Sequence, residues 1–406
     1  MSNLSTKRYV VVPYFGDPLY EEGRARLIWA ANTADAVEVL GYPALLLDRP
    51  VHSWNPFLLV RCLKLQGVPS AFAGFYNVSP ELNRGCPKVL PGDCRSFASK
   101  GLWAALSKRF LERQLFPHVG CLHTRDWPLA AFAIERGLPV VFEEHGESFH
   151  LEVPEYPVEI TGRSNFLLAV AISEDARERM LAKGMLREKI EVLPSGVNEN
   201  AFERFPQEAR ELKAALCKDG EHNLLLYSGG LYDFRGVDML LEIARELADC
   251  RFIFCGGRKR HAAAYRRKAQ DLQLENVTFT GYLSHGDLLK YQQAADALLL
   301  PYADENLARI TSPLKFYEYL ASGLPVVSAR MPMLSEFWDR QDLAVEWANI
   351  GSAKDFIGAI RKTLKAGESL SAKCGANVAL AEGFAWTARQ KKLFSRIGNP
   401  LEGVFR

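Results

Sequence analysis

Thr311-Ser312-Pro313-Leu314-Lys315-Phe316-Tyr317-Glu318-Tyr319-Leu320-Ala321-Ser322-Gly323-Leu324-Pro325-Val326-Val327-Ser328 decides how the rest of the chain is read. Ser312 suits a helix N-cap, Pro313 suits the first helical position, where no N–H is needed, and Gly323 with Pro325 closes the helix about three turns later. The first backbone N–H groups of such a helix, at Leu314 and Lys315, have no intrahelical partner. With the positive end of the helix dipole they make a phosphate site, to which Lys315 adds a full charge. Glu318 lies one turn further along the face of Lys315, and a carboxylate is a good bidentate acceptor for the vicinal hydroxyls of a sugar. In isolation the same residues describe an ordinary capped helix with a surface ion pair. The flanks add the argument for a site: Ala297-Leu298-Leu299-Leu300-Pro301 is an apolar strand running into the loop before the helix, and Pro325 to Ala329 is a second strand directly after it. In open α/β sheets ligands bind beyond the carboxyl ends of strands, where this loop falls.

Ser312-Pro313-Leu314-Lys315, then Glu318-Tyr319, then Gly323 with Pro325-Val326-Val327 resembles the signature of the retaining nucleotide-sugar glycosyltransferases of family 4, which have the GT-B fold. The resemblance implies that Ser312, Pro313, Leu314 and Lys315 hold the donor diphosphate and that Glu318 holds the nucleotide ribose. In the family a further glutamate precedes this one in an E-x7-E pair, and here its position is occupied by Ile310, which cannot hydrogen-bond a donor sugar. Asp304, Glu305, Asn306 and Arg309 in the same loop are the candidates to replace it, and the choice among them is open.

A chain of 406 residues fits two domains of roughly 200 each. Its 50 basic and 48 acidic residues give no global case for nucleic-acid binding. The eight cysteines, Cys62, Cys86, Cys94, Cys121, Cys217, Cys250, Cys255 and Cys374, form no C-x-x-C pair and read as reduced thiols of a cytoplasmic protein. The first thirty residues lack a signal-peptide layout, and no apolar run approaches the ~20 residues of a membrane span.

Tyr9-Val10-Val11-Val12-Pro13 and Ala44-Leu45-Leu46-Leu47-Asp48 read as buried parallel strands, separated by a helix from Ala25 to Leu40 that ends at Gly41. The loop from Tyr14 to Arg24 is where the resemblance puts a glycine near the donor phosphates. Gly23-Arg24 is the match, with a plain turn glycine as the alternative and Arg24 as an acceptor-side candidate. Ser99 to Phe116 reads as a helix with Lys100, Lys108, Arg109 and Arg113 against Glu112, interleaved with Leu102, Trp103, Leu106, Phe110, Leu111 and Leu115. Core packing with a solvated basic face explains this pattern. A peripheral contact with an anionic membrane through residues 99–116 is the second reading, and relatives that glycosylate lipid-bound acceptors at the cytoplasmic face of the inner membrane add to it.

Cys121-Leu122-His123-Thr124-Arg125-Asp126 and Pro139-Val140-Val141-Phe142-Glu143-Glu144-His145-Gly146-Glu147 are strands running into polar loops, which should gather His123, Arg125, Asp126, Glu144, His145 and Glu147 at one sheet edge. The resemblance implies a histidine on the acceptor side near the reacting centre. His145 fits that place, with Arg125, Glu144 and Glu147 beside it on the acceptor side. No second histidine stands at i, i+4, so metal ligation is not expected. Ala169 to Glu174 and Ile190 to Asn198 complete this half, the latter as interdomain hinge.

Leu224 to Asp238 reads as a strand, a glycine loop with Gly229 and Gly230, and a helix, a weak phosphate signal alone. The resemblance implies two cations on the diphosphate here. Gly230 occupies the position of the first and Arg235 keeps the second, so Arg235 and Lys315 become the electrostatic catalysts for a departing nucleoside diphosphate. Arg258, after the next strand, is the candidate to compensate. Tyr282, after Val277 to Gly281, either stacks on the nucleotide base or packs on its own domain. Asp355 to Leu364 reads as a helix, and Phe384-Ala385-Trp386 opens a basic C-terminal helix from Arg389 to Arg396.

The expected fold is therefore α/β, a GT-B arrangement of two doubly wound Rossmann-like domains facing a central cleft. Residues 1–197 form the acceptor-side domain, 198–380 the nucleotide-sugar domain, and 381–406 a helix returning to the first. The expected reaction is retaining, metal-independent transfer from a nucleotide diphosphate sugar of UDP or GDP type to a polysaccharide, lipopolysaccharide or other lipid-linked glycan. No pair of carboxylates flanks a common site as in retaining glycosidases. The family's mechanism instead lets the leaving phosphate deprotonate the acceptor on the same face. A sugar-nucleotide epimerase would need its own acid and base. A non-catalytic nucleotide-sugar-binding subunit is kept open by Ile310 and Gly230. A dehydrogenase lacks its G-x-G-x-x-G after the first strand.

Overall fold

The computed structural model describes residues 7–13, 25–47, 51–52, 62–89, 105, 108–145, 154–217, 222–310, 314–399 and 401. The chain forms two compact units, Met1–Ser195 with Trp386–Arg406, and Gly196–Ala385.

The first unit contains β1 (Arg8–Val12), β2 (Ala44–Leu47), β3 (Val51–His52), β4 (Cys62–Gly67), β5 (Asn83–Val89), β6 (Val119–Thr124), β7 (Val140–Glu144), β8 (Phe166–Ala171) and β9 (Ile190–Val192). Among the described residues they join one sheet in the order β3-β5-β2-β1-β6-β7-β8-β9, parallel throughout except for β4, which pairs antiparallel with β5 at one edge. Alternation splits the apolar runs between two cores. Val10, Val12, Leu45, Leu122, Val140 and Phe142 face the helices Trp127–Glu135 and Glu174–Ala182, while Tyr9, Val11, Leu46, Cys121, Val141 and Val170 face the helix Ala25–Val39 and the C-terminal helix Trp386–Ile397. The latter helix thus belongs to the first unit, packed on Ala25–Val39.

Of the basic stretch 99–116, the structure describes residue 105 and residues 108–116. Residues 108–110 are helical and Leu111–Leu115 form a π-helical turn, with Phe110, Leu111 and Leu115 buried in the core. Lys108 lies over the Phe132 ring and Glu112 pairs with Arg136. The apolar side of this described part is spent on core packing, so only its basic side faces outward.

The second unit contains β10 (Asn223–Ser228), β11 (Cys250–Cys255), β12 (Val277–Gly281), β13 (Ala297–Leu300), β14 (Val326–Ala329) and β15 (Val345–Ala348), all parallel, in the order β12-β11-β10-β13-β14-β15. Counted from β10 as the first strand this is the doubly wound order 3-2-1-4-5-6, whose direction reverses between β10 and β13. The loops leaving β10 and β13 therefore diverge and open a crevice at the carboxyl edge. The helix Leu314–Ala321 sits between β13 and β14 in the chain and ends at Gly323, which takes φ +72. The helix Glu368–Glu382, which the sequence reading did not anticipate, packs along it. Its stretch Ser369-Leu370-Ser371-Ala372-Lys373-Cys374-Gly375-Ala376 lacks a continuous apolar stripe, which hid it.

Candidate functional site

At the reversal point of the second unit, distant segments meet around Gly229. Its φ is +154, and a Cβ there would stand 2.7 Å from Lys315 Cε and 2.9 Å from Tyr227 Oη, so a side chain there would have to displace the end of the lysine and the tyrosine hydroxyl, in a backbone conformation L residues rarely adopt. The loop is held in place by Gly229 N–H donating to the Cys255 carbonyl at 2.8 Å and Tyr227 Oη donating to the Gly230 carbonyl at 2.8 Å. A side chain at Gly230 would run into the Tyr232 ring. The helix Leu314–Ala321 is tied to β10 by Tyr319, whose Oη accepts from Ser228 N–H at 2.8 Å and pairs with Ser228 Oγ at 3.1 Å.

Arg235 comes from the short turn Asp233–Arg235 after β10 and reaches across to the loop after β13, donating from Nη1 to Tyr302 Oη at 2.6 Å. Its guanidinium lies over the rings of Phe234 and Tyr302, at 5.5 and 5.3 Å. Its Nε is buried and has no hydrogen-bond partner among the described residues. Burial, and then the charge of Arg235, hold the Lys315 ammonium below the ordinary lysine range, with Glu318 acting in the opposite direction. Two half-buried cations that repel one another, with the buried unpartnered Arg235 Nε beside them, are an arrangement that could hold an anion.

The structure thus brings Gly229, Gly230, Arg235, Lys315 and Glu318 into one neighbourhood. Leu314 opens the described part of the helix, while Ser312 and Pro313 lie outside the described residues, as do Gly23, Arg24 and Glu147. Arg258, Tyr282 and Arg309 are exposed, Tyr282 at 66 %. The segment before the signature helix differs from its reading as a loop: Glu305–Ile310 is a helical turn, and the Asp304 carboxylate is spent accepting from Leu307 N–H at 3.0 Å. Tyr302 and Tyr319 position the two cations' segments; the sequence reading does not single out Tyr302, and it quotes Tyr319 in the signature without a role. An aromatic hydroxyl directly beyond a buried strand was the available signal for Tyr302.

The first unit holds a polar cluster of a different kind. The expected gathering at the sheet edge is corrected at His123, which is fully buried inside the unit because it shares the face of Cys121 and Val11, under the helix Ala25–Val39. Asp126 caps the helix Trp127–Glu135, accepting from Leu129 N–H at 3.1 Å. Glu143, also fully buried and missed as a site residue, is the hub: Oε1 accepts from His145 Nε2 at 2.6 Å and from Arg389 Nη2 at 2.7 Å, and Oε2 accepts from His123 Nε2 at 3.1 Å. A carboxylate only accepts, so both histidines carry the proton on Nε2 in this network, and His123 Nδ1 is left to accept from Tyr9 Oη at 2.9 Å. Burial alone would raise the Glu143 pKa, but Arg389, then His123 and His145, outweigh it and hold the carboxyl well below its usual range. Burial lowers His123, with Glu143 opposing. Trp29 lies edge-on to both imidazoles, at 5.2 Å from His123 and 5.7 Å from His145, and beneath Arg125 at 5.6 Å. Glu144 accepts from Tyr156 Oη at 3.4 Å. The signal that could have found this cluster is a carboxylate inside the apolar run Val140-Val141-Phe142-Glu143, which a two-faced buried strand tolerates only with partners.

Among the described residues no group of His, Cys, Asp and Glu is arranged to hold a metal ion, and no helix is long and apolar enough to cross a membrane. Among the described residues Cys121, Cys250, Cys255 and Cys374 form no disulfide.

Residues 222–366, which span the cation site of the second unit, match the sequence model of the family described as Glycosyl transferases group 1. The chain is 26% identical over 178 residues to the Bacillus subtilis protein TuaH, assigned as a teichuronic acid biosynthesis glycosyltransferase, covering 44% of this chain and 43% of that protein. It is 27% identical over 186 residues to the D-inositol 3-phosphate glycosyltransferase of Mycobacterium bovis, covering 43% of this chain and 37% of that one. The matches thus span less than half the length of these curated relatives. The fold as a whole is similar to that of Anabaena HepE, solved in complex with UDP and glucose, with a TM-score of 0.65 and 14% identity over 96% of this chain and 98% of that one. The two Rossmann-like units are those of the GT-B glycosyltransferase fold, and the second carries the group 1 match.

Proposed function

We propose that this protein is a glycosyltransferase that moves a sugar from a nucleotide diphosphate donor to an acceptor hydroxyl, with retention and without a catalytic metal, in the synthesis of a polysaccharide, lipopolysaccharide or other lipid-linked glycan. The observation that carries this reading is the half-buried Lys315 and Arg235 near the reversal point of the second unit, with the buried Arg235 Nε without a partner among the described residues. A departing nucleoside diphosphate gains negative charge as the glycosidic bond breaks, and two fixed cations stabilise that charge in the role a metal fills elsewhere. Gly229 and Gly230 let the phosphates approach the backbone. The N–H groups at Leu314 and Lys315, with Ser312 and Pro313 before them, close on the same phosphates, and Glu318 takes the ribose. Arg258 and Arg309 are the proposed peripheral cations, Tyr282 the contact for the base, and Gly23 a backbone neighbour of the phosphates. Arg24, Arg125, Glu144 and Glu147 are the acceptor-side candidates, and His145 is the first unit's contribution to the reacting centre. The UDP in the HepE structure supports UDP as the donor nucleotide, with GDP as the other base type.

Thermal unfolding with UDP, GDP, ADP and their common sugar conjugates, with and without EDTA, tests the reading. Ligand that binds only the folded state raises its stability with the logarithm of concentration over Kd. Stabilisation by one nucleotide family, unchanged by EDTA, is the expected result. Stabilisation that EDTA abolishes would remove the metal-free mechanism, and none with any nucleotide would remove the donor site.

The described part of the stretch, residues 108–116, supports a peripheral contact with anionic membrane as an electrostatic one, because its Phe110, Leu111 and Leu115 are committed to the core. Binding to anionic vesicles that vanishes at high salt is the outcome this predicts in flotation.

A further inference from the structure

We infer that Tyr232 is the platform on which the base of the donor nucleotide stacks, at one end of a row of glycines along the carboxyl edge of β10, β11 and β12. This inference rests on the reading of the second unit as the donor site, and it names a contact for the base on the β10 loop, apart from Tyr282. Strand order puts β11 between β10 and β12. Their loops are tied side by side: Gly229 N–H donates to the Cys255 carbonyl at 2.8 Å, and Gly256 N–H to the Gly281 carbonyl at 2.7 Å. Gly256, Gly257 and Gly281 take φ of +108, +77 and +76, and a Cβ on Gly256 would stand 2.6 Å from the Gly229 carbonyl oxygen. The positive φ and the close approach of the loops explain why glycine occupies these positions. Gly229, Gly230, Gly256 and Gly257 are all half-buried, so a ligand lying along the row meets backbone and no side chain of theirs.

Tyr232 stands at the β10 end of this row. Its ring lies against Gly230, where a Cβ would be 2.4 Å from Cε2, and Leu231 packs on Gly257, where a Cβ would be 2.7 Å from Cδ1, so the turn leans toward β11. The ring is held. It stacks on Phe234 with centroids 5.5 Å apart and planes 8° apart, and His261, from the helix after β11, meets it at 72° and 5.5 Å. The turn beneath is fixed by Arg235 N–H donating to the Tyr232 carbonyl at 3.0 Å, Ala303 N–H to the Phe234 carbonyl at 3.1 Å and Tyr265 Oη to the Asp233 carboxylate at 2.9 Å. Tyr232 is nevertheless 39% exposed. A ring that is rigid and exposed suits a base, because every base has a π-face and no further ordering of the ring is required on binding. The cations set the direction of the ligand. Lys315 passes beside Gly229, and its charge reaches the Cys255 thiol at the end of β11, so phosphates held there lie at the row and their nucleoside extends over β11. The Arg235 guanidinium lies over Phe234, the ring on which Tyr232 stacks, so one turn carries both the phosphate contact and the platform.

Calorimetric titration of UDP, GDP, UDP-glucose and inorganic pyrophosphate into the wild type, Tyr232→Ala and Tyr232→Phe tests the platform. Tyr232→Ala should weaken whichever nucleotide the wild type binds by about tenfold and leave pyrophosphate unchanged, while Tyr232→Phe, which keeps the ring, should bind both as the wild type does. A ring that only supports the turn would cost pyrophosphate as much as nucleotide when removed. Equal losses for the two ligands, an unchanged nucleotide affinity, or a loss for UDP-glucose without one for UDP would each overturn the inference. Proton NMR of the wild type with bound nucleotide gives a second measurement that survives if Tyr232→Ala does not fold. Nuclear Overhauser contacts between the Tyr232 ring, labelled and assigned by its loss in Tyr232→Phe, and the protons of the base are expected, and their absence would overturn the platform. Pyrophosphate carries the phosphates without the base, which separates the two readings. A wild type that binds pyrophosphate and nucleotide with no part played by Tyr232 loses the platform alone, and one that binds neither loses the donor site and the platform with it.

Discussion

The two units each gather charged groups at or beneath the carboxyl edge of a parallel sheet, and they treat those charges in opposite ways. In the first unit Glu143 accepts from three donors, Arg389 among them, so both carboxylate oxygens are answered from within the chain, while Arg389 Nη1 is buried with no hydrogen-bond partner among the described residues. In the second unit Lys315 and Arg235 are held together against their own repulsion, with an Arg235 Nε that no described residue answers. The difference is one of charge: the first cluster sets a cation against an anion, which stabilises both, and the second sets cation beside cation, an arrangement that an anionic ligand would relieve.

The comparison breaks first at Arg389. Removing one partner of a fully buried charge pair leaves the other uncompensated, so Arg389→Met should cost about 3–5 kcal/mol in denaturant unfolding of the first unit. A loss of only a few tenths would mean the cluster is solvated and not self-contained. Gly229→Ala comes next. The new Cβ meets Lys315 Cε and Tyr227 Oη in a conformation that L side chains rarely adopt, so stability should fall by about 1–3 kcal/mol and UDP should cease to protect the protein from heat. Retained protection would show that the lysine need not pass the glycine.

Glu318→Ala sharpens the contrast inside the second unit. If the carboxylate reads ribose and the cations read phosphate, UDP should bind more weakly by about 1 kcal/mol while inorganic pyrophosphate binds as before. Equal losses for both ligands would move Glu318 onto the phosphate side. The smallest effect expected is on pH. The Lys315 ammonium is held below its ordinary 10.5 by burial and Arg235, so the folded state binds fewer protons than the unfolded between the lowered midpoint and 10.5. Stability should therefore rise with pH across that window, and the wild type should gain more than Lys315→Met when unfolding is followed through it. Saturating UDP, by supplying the anion, should flatten the difference.

Much of this was legible in the sequence where a signal is local. Short apolar runs such as Leu224-Leu225-Leu226 and Ala297-Leu298-Leu299-Leu300 declare buried parallel strands, and the residues directly after them, Gly229 and Arg235, are at the reversal point for that reason alone. Lys315 and Glu318 stand one turn apart on a short helix and needed no tertiary information. The misses are contacts made at long range. Arg235 finds Tyr302 across 67 positions and Glu143 finds Arg389 across 246, distances over which no periodicity or spacing speaks. The turn Glu305–Ile310 is hidden because six residues are too few for a helical period to show, so the sequence offers Asp304 as a stand-in for the missing glutamate where the structure uses it to cap the turn. The antiparallel edge formed by β4 and β5 was hidden by composition, since Asn83-Arg84-Gly85-Cys86-Pro87-Lys88-Val89 has no apolar run of the kind that marks the central strands.

The central claim is that Lys315 and Arg235 are an incomplete cation pair awaiting a nucleoside diphosphate. Calorimetric titration of UDP into the wild type and into Lys315→Ala tests it most directly. The account predicts that the lysine's loss weakens UDP by about 1–3 kcal/mol, roughly 5- to 150-fold in Kd, while the ligand-free variant is no less stable than the wild type. Equal affinity in the two proteins would contradict it.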